Sequence, residues 1–277
     1  MILPVRSGVA LALALVFLPA EALAQDNAPP ATEKRVLDVS GQGGISWATG
    51  NTKAALVSAA IRASLRLGAN QVSLSSFYTY SGATTQPSDG PPDAPQQHYV
   101  ADNNTYARIR YDRSFLGERN AAFVGFLAFR DTSSGWNSRF MPFVGYERVV
   151  LQKEHVGELW VEGGYRASYE HLNLDQRAKD EGLPRVRLVH GPTALVGGKL
   201  EITPTFELDL GVEAQERLTD WNDLRMNVIA SAMSFIGHSV SFGVNFTARY
   251  LLTPIGARAH TDTSLQAVIV SQHDFPL

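Results

Sequence analysis

Cysteine, charge and long apolar runs are all scarce in this sequence. It contains no cysteine, which excludes disulfides and cysteine-ligated metal sites. Only 18% of its 277 residues are charged, below the roughly 25% of a typical soluble protein. After the N-terminus, no run approaches the roughly 20 apolar residues that a membrane-spanning helix needs. The net charge of -3 excludes the basic excess expected of a nucleic-acid-binding protein.

The N-terminus has the three parts of a secretory signal peptide. Arg6 precedes a short apolar core at residues 8–19, and small residues at Ala22 and Ala24 fit a signal-peptidase site. The apolar core is too short for a membrane anchor and is followed by Glu21. We therefore expect a signal peptide over residues 1–24, a flexible periplasmic leader over 25–35 and a single barrel domain over 36–277.

Strict alternation of apolar and polar residues is the dominant pattern of the remaining chain. In SVSFGVNFTARY, residues 239–250, every even position is apolar or aromatic and every odd position is small or polar. This pattern predicts a strand with one apolar face and one wet face. The clearer segments of this kind lie at residues 36–49, 54–67, 71–81, 105–113, 158–170, 206–216, 224–234 and 263–272.

Three further segments predict strands less cleanly, which brings the total to about twelve. Residues 121–131 are apolar on both faces, and residues 139–149 contain Pro142, which cannot donate a ladder hydrogen bond. Residues 185–200 are interrupted by Gly191-Pro192, where the alternation can slip by one residue.

The connections between these segments tend to alternate between short and long. Tight ones occur at 68–70, 116–120, 152–155, 203–205 and 237–238, and longer polar ones at 82–98, 131–138, 171–184, 217–223 and 251–260. Short periplasmic turns and long outer loops are typical of outer-membrane barrels, and many segments have the roughly ten residues that a tilted strand needs to cross a bilayer. The sequence therefore predicts an all-β, antiparallel, up-and-down transmembrane barrel in the cell outer membrane, with outer-membrane lipid and lipopolysaccharide around it.

Aromatic residues fall near both ends of the expected strands. Trp47, Tyr78, Tyr80, Tyr169 and Tyr250 lie towards the long-loop ends, and Tyr111, Tyr146 and Phe206 towards the short-turn ends. Two such bands are typical of the aromatic girdles at the two membrane interfaces.

Several stretches resemble the salt-stress-induced outer-membrane protein family, the YdiY-like group. They are GGISWATGNTKAALVSAAIRASL, TYARIRYDRSF, AAFVGFLAFRDTSSG, FVGYERVV and VEGGYRASYE, and TGNTK is the most specific of them. The resemblance covers most of residues 40–250 and implies a small outer-membrane barrel without established chemistry. The chain departs from the usual terminal aromatic that the barrel-assembly machinery reads, because Phe275 is followed by Pro276 and Leu277.

Catalytic and metal-binding patterns are weak in this sequence. No His lies two residues before a Ser, the arrangement of outer-membrane lipid hydrolases, and adjacent His238 and Ser239 point to opposite faces. Glu170, His171 and Asp175 share one expected outer loop, and a solvated polar loop is the simpler interpretation. The sequence predicts no enzyme activity, no cofactor and no metal site, with an unrecognised hydrolase as the remote alternative.

Charged residues fall on the wet faces, which would line the lumen. The expected basic lining is Arg62, Arg66, Arg108, Arg110, Arg130, Arg139, Arg225 and Arg249. The expected acidic lining is Glu158, Glu162, Glu170, Glu207, Asp209 and Glu213. The bases come mainly from segments two to six and the acids from segments seven and nine, although Glu147 and Arg166 break this division.

Two functions are compatible with such a lumen. A basic wall facing an acidic wall would set up a transverse field in a narrow channel for small polar or zwitterionic solutes. Alternatively, the charges pair with one another and close a structural or stress-response barrel that acts through its outer loops. Twelve strands lie between the filled eight-stranded barrels and the open sixteen-stranded porins, so strand number leaves both alternatives open. The sequence carries no signal for an oligomeric state.

Overall fold

The chain forms twelve β-strands. The computed structural model describes residues 35–49, 54–85, 97–116, 119–131, 135–153, 156–174, 179, 182–218, 220–236, 239–253 and 260–276. The strands are β1 (Arg35–Thr49), β2 (Ala54–Leu67), β3 (Asn70–Thr85), β4 (Gln97–Phe115), β5 (Asn120–Asp131), β6 (Trp136–Lys153), β7 (Gly157–Leu172), β8 (Val186–Thr203), β9 (Phe206–Arg217), β10 (Asp220–Ile236), β11 (Val240–Leu251) and β12 (Thr261–Pro276).

Each strand pairs antiparallel with its neighbours in sequence, and β1 pairs with β12 to close the barrel. Closure leaves no unpaired sheet edge, so the backbone polar groups satisfy one another around the whole ring. The expected all-β, up-and-down barrel of about twelve strands is confirmed. The first strand begins at Arg35, one residue before the expected start of the domain.

The two ends of the barrel differ in their connections. The turn end carries the connections at 68–69, 116–119, 154–156, 204–205 and 237–239, together with the first residue of β1 and the last of β12. The loop end carries the connections at 50–53, 86–96, 132–135, 173–185, 218–219 and 252–260. Several strands run further towards the loop end than the alternation suggests, so the connections after β5 and β9 are shorter than expected.

Large apolar side chains point outward around the barrel. Val57, Ile61, Leu74, Val124 and Leu188 are each more than half exposed. Their chain neighbours face inward, as the alternation requires, and Ser58 and Val189 among them are buried. This apolar surface is suited to hydrocarbon rather than to water, as expected for the lipid-facing side of a membrane barrel.

The prolines inside β6 and β8 leave the alternation around them intact. The β7–β8 ladder runs without a shift from Gly157↔Leu200 to His171↔Val186, so Pro192 causes no slip. The β6–β7 ladder has no pair at Met141 and Pro142, although the register on either side is the same. A proline has no N–H to donate, and this local gap is its consequence.

Outward-facing tyrosines lie near both ends, as the two-band pattern predicts. Tyr78, Tyr80, Tyr169 and Tyr250 are exposed near the loop end, and Tyr111 is exposed near the turn end. The side chain of Trp47 lies outside the described residues, as do the signal peptide and residues 25–34 of the leader. In the part of the chain that the structure describes, no helix has the length and hydropathy to cross a membrane.

Candidate functional site in the barrel lumen

Thirteen of the fourteen predicted lining residues occupy the inward face of their strands. Arg130 is the exception. It is exposed and shares its face of β5 with the outward-facing Val124 and Phe126, while neighbouring Asp131 is buried. The prediction for Arg130 was wrong because β5 is apolar on both faces, which left the pattern without a polar face to define the lumen. Arg130 lies at the loop end of β5 and points outward from the barrel.

One carboxylate collects three arginines near the loop end. Glu170 is fully buried, and its two oxygens accept bonds from Arg225 Nη1 at 2.6 Å and Arg187 Nε at 2.8 Å. Arg139 Nε lies 2.9 Å from Oε1. Trp136 Nε1 and Ser168 Oγ also donate to the carboxylate, at 3.3 and 3.1 Å. We call Glu170, Arg139, Arg187 and Arg225 the Glu170 cluster.

Further charges and aromatic rings surround this cluster. Asp223 is 2% exposed and accepts from Arg225 Nη2 at 3.1 Å. Arg249 Nη1 donates to Asp131 Oδ2 at 2.6 Å, and its guanidinium lies over the rings of Phe129 and Trp136. Trp136 packs with Leu172 and Leu251, all nearly inaccessible to solvent. Apolar packing around these ions excludes water, which strengthens each charge interaction.

The opposite arrangement occurs near the turn end. Arg110 donates to Asp112 Oδ1 at 2.6 Å, to Glu147 Oε2 at 2.6 Å and to Glu162 Oε1 at 2.8 Å. Its guanidinium lies 4.0 Å from the centroid of the Phe123 ring. We call Arg110 and its three carboxylates the Arg110 cluster. It brings one cation and three anions from β4, β6 and β7 together.

Ion pairs join the expected basic and acidic walls, both within the two clusters and between them. Arg166 donates to Glu213, which also accepts from Asn227 Nδ2 at 2.8 Å. Arg110 reaches Glu162, and Arg139 reaches Glu170, each across strands. On this side of the lumen, pairing therefore replaces the transverse separation of charge that the sequence suggested.

Apolar side chains fill the lumen between β4 and β6. Phe123, Leu127, Met141 and Phe143 are buried together, with Tyr106 and Phe129 against them. Phe143 lies over its register partner Gly125, and Phe123 lies over its register partner Gly145. A ring covering the opposite glycine replaces the side chain that the glycine lacks.

On the other side of the lumen, several inward-facing positions of β2 and of β9–β11 are exposed. Arg62 and Thr247 are exposed on inward-facing positions, and Ile229 is 55% exposed between Asn227 and Ser231. A Cβ placed on Gly211 would meet no atom within 4 Å. Solvent therefore reaches the inner wall at β2 and at β9–β11, opposite the packed wall.

Sequence reasoning missed several residues in and around the two clusters. Trp136 and Asp223 were expected in outer loops, but each belongs to a strand and points inward. Alternation could have identified Asp112 and Arg187. Asp112 is two residues from Arg110, which was predicted to face inward, and Arg187 lies on the predicted strand 185–200. Asp131 was not predicted to face inward, because β5 has no polar face in the sequence pattern.

The described residues form no arrangement that supports the catalytic alternative. Both oxygens of Glu170 are occupied by arginines, and Asp175 and His238 lie outside the described residues. Tyr165 and His190 bond to each other on the outward face of β7 and β8. Within the described residues, no group of three or more His, Asp or Glu side chains is placed to hold a metal ion.

The closed ring of twelve strands, with an apolar outside and a polar, charged inside, defines a porin-like β-barrel. Residues 42–272 match the family model described as "Protein of unknown function, DUF481", and the chain belongs to this family. No curated protein matches the sequence.

Three solved structures are similar to this chain. A structure of the NanC porin matches with a TM-score of 0.51 and 11% identity, over 85% of this chain and 98% of that one. This likeness concerns the fold alone. An outer membrane channel from Pseudomonas putida F1 matches with a TM-score of 0.41 and 12% identity, covering 88% and 100% of the two chains. An anion-selective porin from Comamonas acidovorans matches with a TM-score of 0.39 and 8% identity, covering 87% and 100%.

Proposed function

We propose that the protein is a non-enzymatic outer-membrane channel for small polar solutes. In this proposal a signal peptide directs the chain to the periplasm, and the barrel-assembly machinery inserts it among outer-membrane lipid and lipopolysaccharide. The turn end then faces the periplasm and the loop end faces outward, which is the usual orientation of such barrels.

The solvent-accessible side of the lumen is the observation that carries the proposal. A purely structural barrel would be expected to pack its interior all the way round, as small barrels do. Here Arg62, Thr247 and Ile229 leave much of their surface accessible inside the ring, and Gly211 adds open space. A water-filled path along this wall would suit small hydrophilic solutes, while the packed wall would keep it narrow.

The second candidate is a plugged barrel with a structural or stress-response role, acting through its outer loops. The Glu170 cluster and the buried Trp136, Leu172 and Leu251 favour it, because they join β6–β8 to β10 and β11 across the loop end of the lumen. The two candidates differ in whether ions cross a membrane containing the purified protein.

Conductance across planar bilayers tests the channel, with two glycine variants as a matched pair. A Cβ on Gly211 or on Gly43 would meet no atom within 4 Å, but Gly211 faces the lumen and Gly43 faces outward. We expect discrete conductance steps from the wild type, a reduction of at least about twofold for Gly211→Trp, and no change for Gly43→Trp. The reason is that the added ring occupies volume in a narrow path only at Gly211.

The absence of steps from correctly folded wild-type protein would reject the channel in favour of the plugged barrel. Equal conductance of the two variants would place the ion path elsewhere than along β9. Lipid and peptide turnover by the same preparation tests the remote hydrolase alternative, for which we expect no product.

A further inference from the structure

The charges of the lumen are sorted along its axis. Near the loop end, three arginines surround the single carboxylate of Glu170. Near the turn end, three carboxylates surround the single guanidinium of Arg110. The Glu170 cluster therefore has an excess of positive charge, and the Arg110 cluster has an excess of negative charge.

The neighbouring inward-facing charges at the loop end preserve this sign. Arg217 and Arg249 join the three arginines of the cluster there. The carboxylates at this end are Glu170, Asp131, Asp223 and Asp262. Among the described side chains, five bases thus accompany four acids, and the pair Arg166–Glu213 at mid-height adds no net charge.

Acids dominate the turn end. On β6–β9 the inward-facing acids are Glu147, Glu158, Glu162, Glu201, Glu207 and Asp209, accompanied by Lys199. Asp38 and Asp112 add two acids, whereas Arg62, Arg66, Arg108 and Arg110 supply the bases. Eight acids thus accompany five bases among the described side chains of this half.

The two halves of the lumen carry fixed charge of opposite sign. This arrangement acts differently on single ions and on zwitterions. A cation is repelled in the loop half and an anion in the turn half, so each sign meets one barrier. A zwitterion has no net charge to be repelled, and its dipole is stabilised with the carboxylate towards the loop end and the ammonium towards the turn end.

From this arrangement, and resting on the proposed channel, we propose that the lumen is a bipolar filter that favours zwitterionic solutes over small ions of either sign. The loop half selects for anions and the turn half for cations. A voltage that drives anions in from the loop end and cations in from the turn end fills both halves with ions. The reverse voltage empties them, so the pore conducts unequally in the two directions.

Oriented single-channel recordings test the filter. The chain has no cysteine, so Ala69→Cys in the exposed β2–β3 turn labels the turn end with a bulky thiol reagent and reports orientation. We expect a larger current when the turn end is at positive potential. The ratio of the two currents should be on the order of twofold at 0.1 M salt and approach one at 1 M, because the screening length falls from about 10 to 3 Å.

Two single substitutions separate electrostatics from structural damage. Glu147→Gln removes one acid from the Arg110 cluster, and Arg187→Gln removes one base from the Glu170 cluster. Both should reduce the current ratio. In a salt gradient, Glu147→Gln should shift the reversal potential towards that of anions, and Arg187→Gln towards that of cations. Glu216→Gln, on the outward face of β9, is the matched control and should change neither quantity.

Alanine and lactate test the solute class, because they differ by an ammonium in place of a hydroxyl. We expect proteoliposomes to swell several-fold faster in alanine than in sodium lactate, and Glu147→Gln to narrow the difference. Three results would overturn the filter but not the channel: a symmetric current–voltage curve, a shift of selectivity in the same direction by both variants, or equal swelling rates in the two solutes. In each case conductance steps would still be present. The absence of any steps would reject both.

Discussion

At the scale of the residue, the Glu170 carboxylate is the most constrained group of the lumen. It is fully buried and joins Arg139, Arg187 and Arg225, which lie on β6, β8 and β10. Those three cations come together only because the anion is there. Removing one partner from a buried ion cluster leaves charge without compensation, which costs far more than the loss of a surface ion pair.

Glu170→Ala should therefore lower the free energy of unfolding by about 3–5 kcal/mol, the range for breaking a buried ion pair from one side. Glu158→Ala is the control, since Glu158 is partly exposed and, among the described side chains, bonds to Gln152 alone. It should stay within about 0.5 kcal/mol of the wild type. Urea unfolding in lipid vesicles measures the stability of both variants. Equal stability of the two would show that the Glu170 carboxylate is not needed to stabilise the three arginines.

At the scale of the element, β5 and β6 are joined by reciprocal ring-over-glycine pairs. A Cβ on Gly125 would lie 2.3 Å from a ring carbon of Phe143, and a Cβ on Gly145 would lie 2.5 Å from one of Phe123. Each glycine is thus required by the ring of the facing strand, and that ring needs to move if the glycine gains a side chain. These two strands form the packed wall that narrows the lumen.

Gly125→Ala should cost about 1–3 kcal/mol of stability, as expected for added volume in a packed interior. Gly211→Ala should be neutral or slightly stabilising, because the added methyl meets open space and alanine restricts the unfolded chain. Thermal unfolding in detergent, followed by the electrophoretic shift of the barrel, compares them. A stabilised Gly125→Ala variant would mean that Phe143 moves aside freely.

At the scale of the whole molecule, the sidedness of the barrel separates a membrane protein from a soluble one. Leu74 is 52% exposed on the outward face of β3, and the next residue, Ser75, faces the lumen. The two side chains are adjacent in sequence but lie on opposite sides of the barrel wall. A soluble barrel would tolerate a charge at Leu74 better than at Ser75, and a membrane barrel would do the reverse.

Leu74→Arg should therefore destabilise the barrel in lipid vesicles by about 2–4 kcal/mol, the cost of a lipid-facing arginine near the midplane. Ser75→Arg places the same side chain in the lumen and should change stability much less. The folded fraction in vesicles over a urea series measures the difference. If Leu74→Arg were the better tolerated of the two, the outward surface would not face hydrocarbon.

The strands and, for nearly all of them, the identity of the apolar face follow from local sequence, because alternation is a local property of an extended chain. The sequence predicted the closed antiparallel fold and thirteen inward charges, and it failed at Arg130 because β5 lacks a polar face. Which charges meet depends on the three-dimensional arrangement of the strands. Arg249 and Asp131 are 118 residues apart in sequence, and Arg225 and Glu170 are 55 apart. Such contacts depend on how far each strand is staggered as the ring closes, a long-range quantity that no local pattern contains.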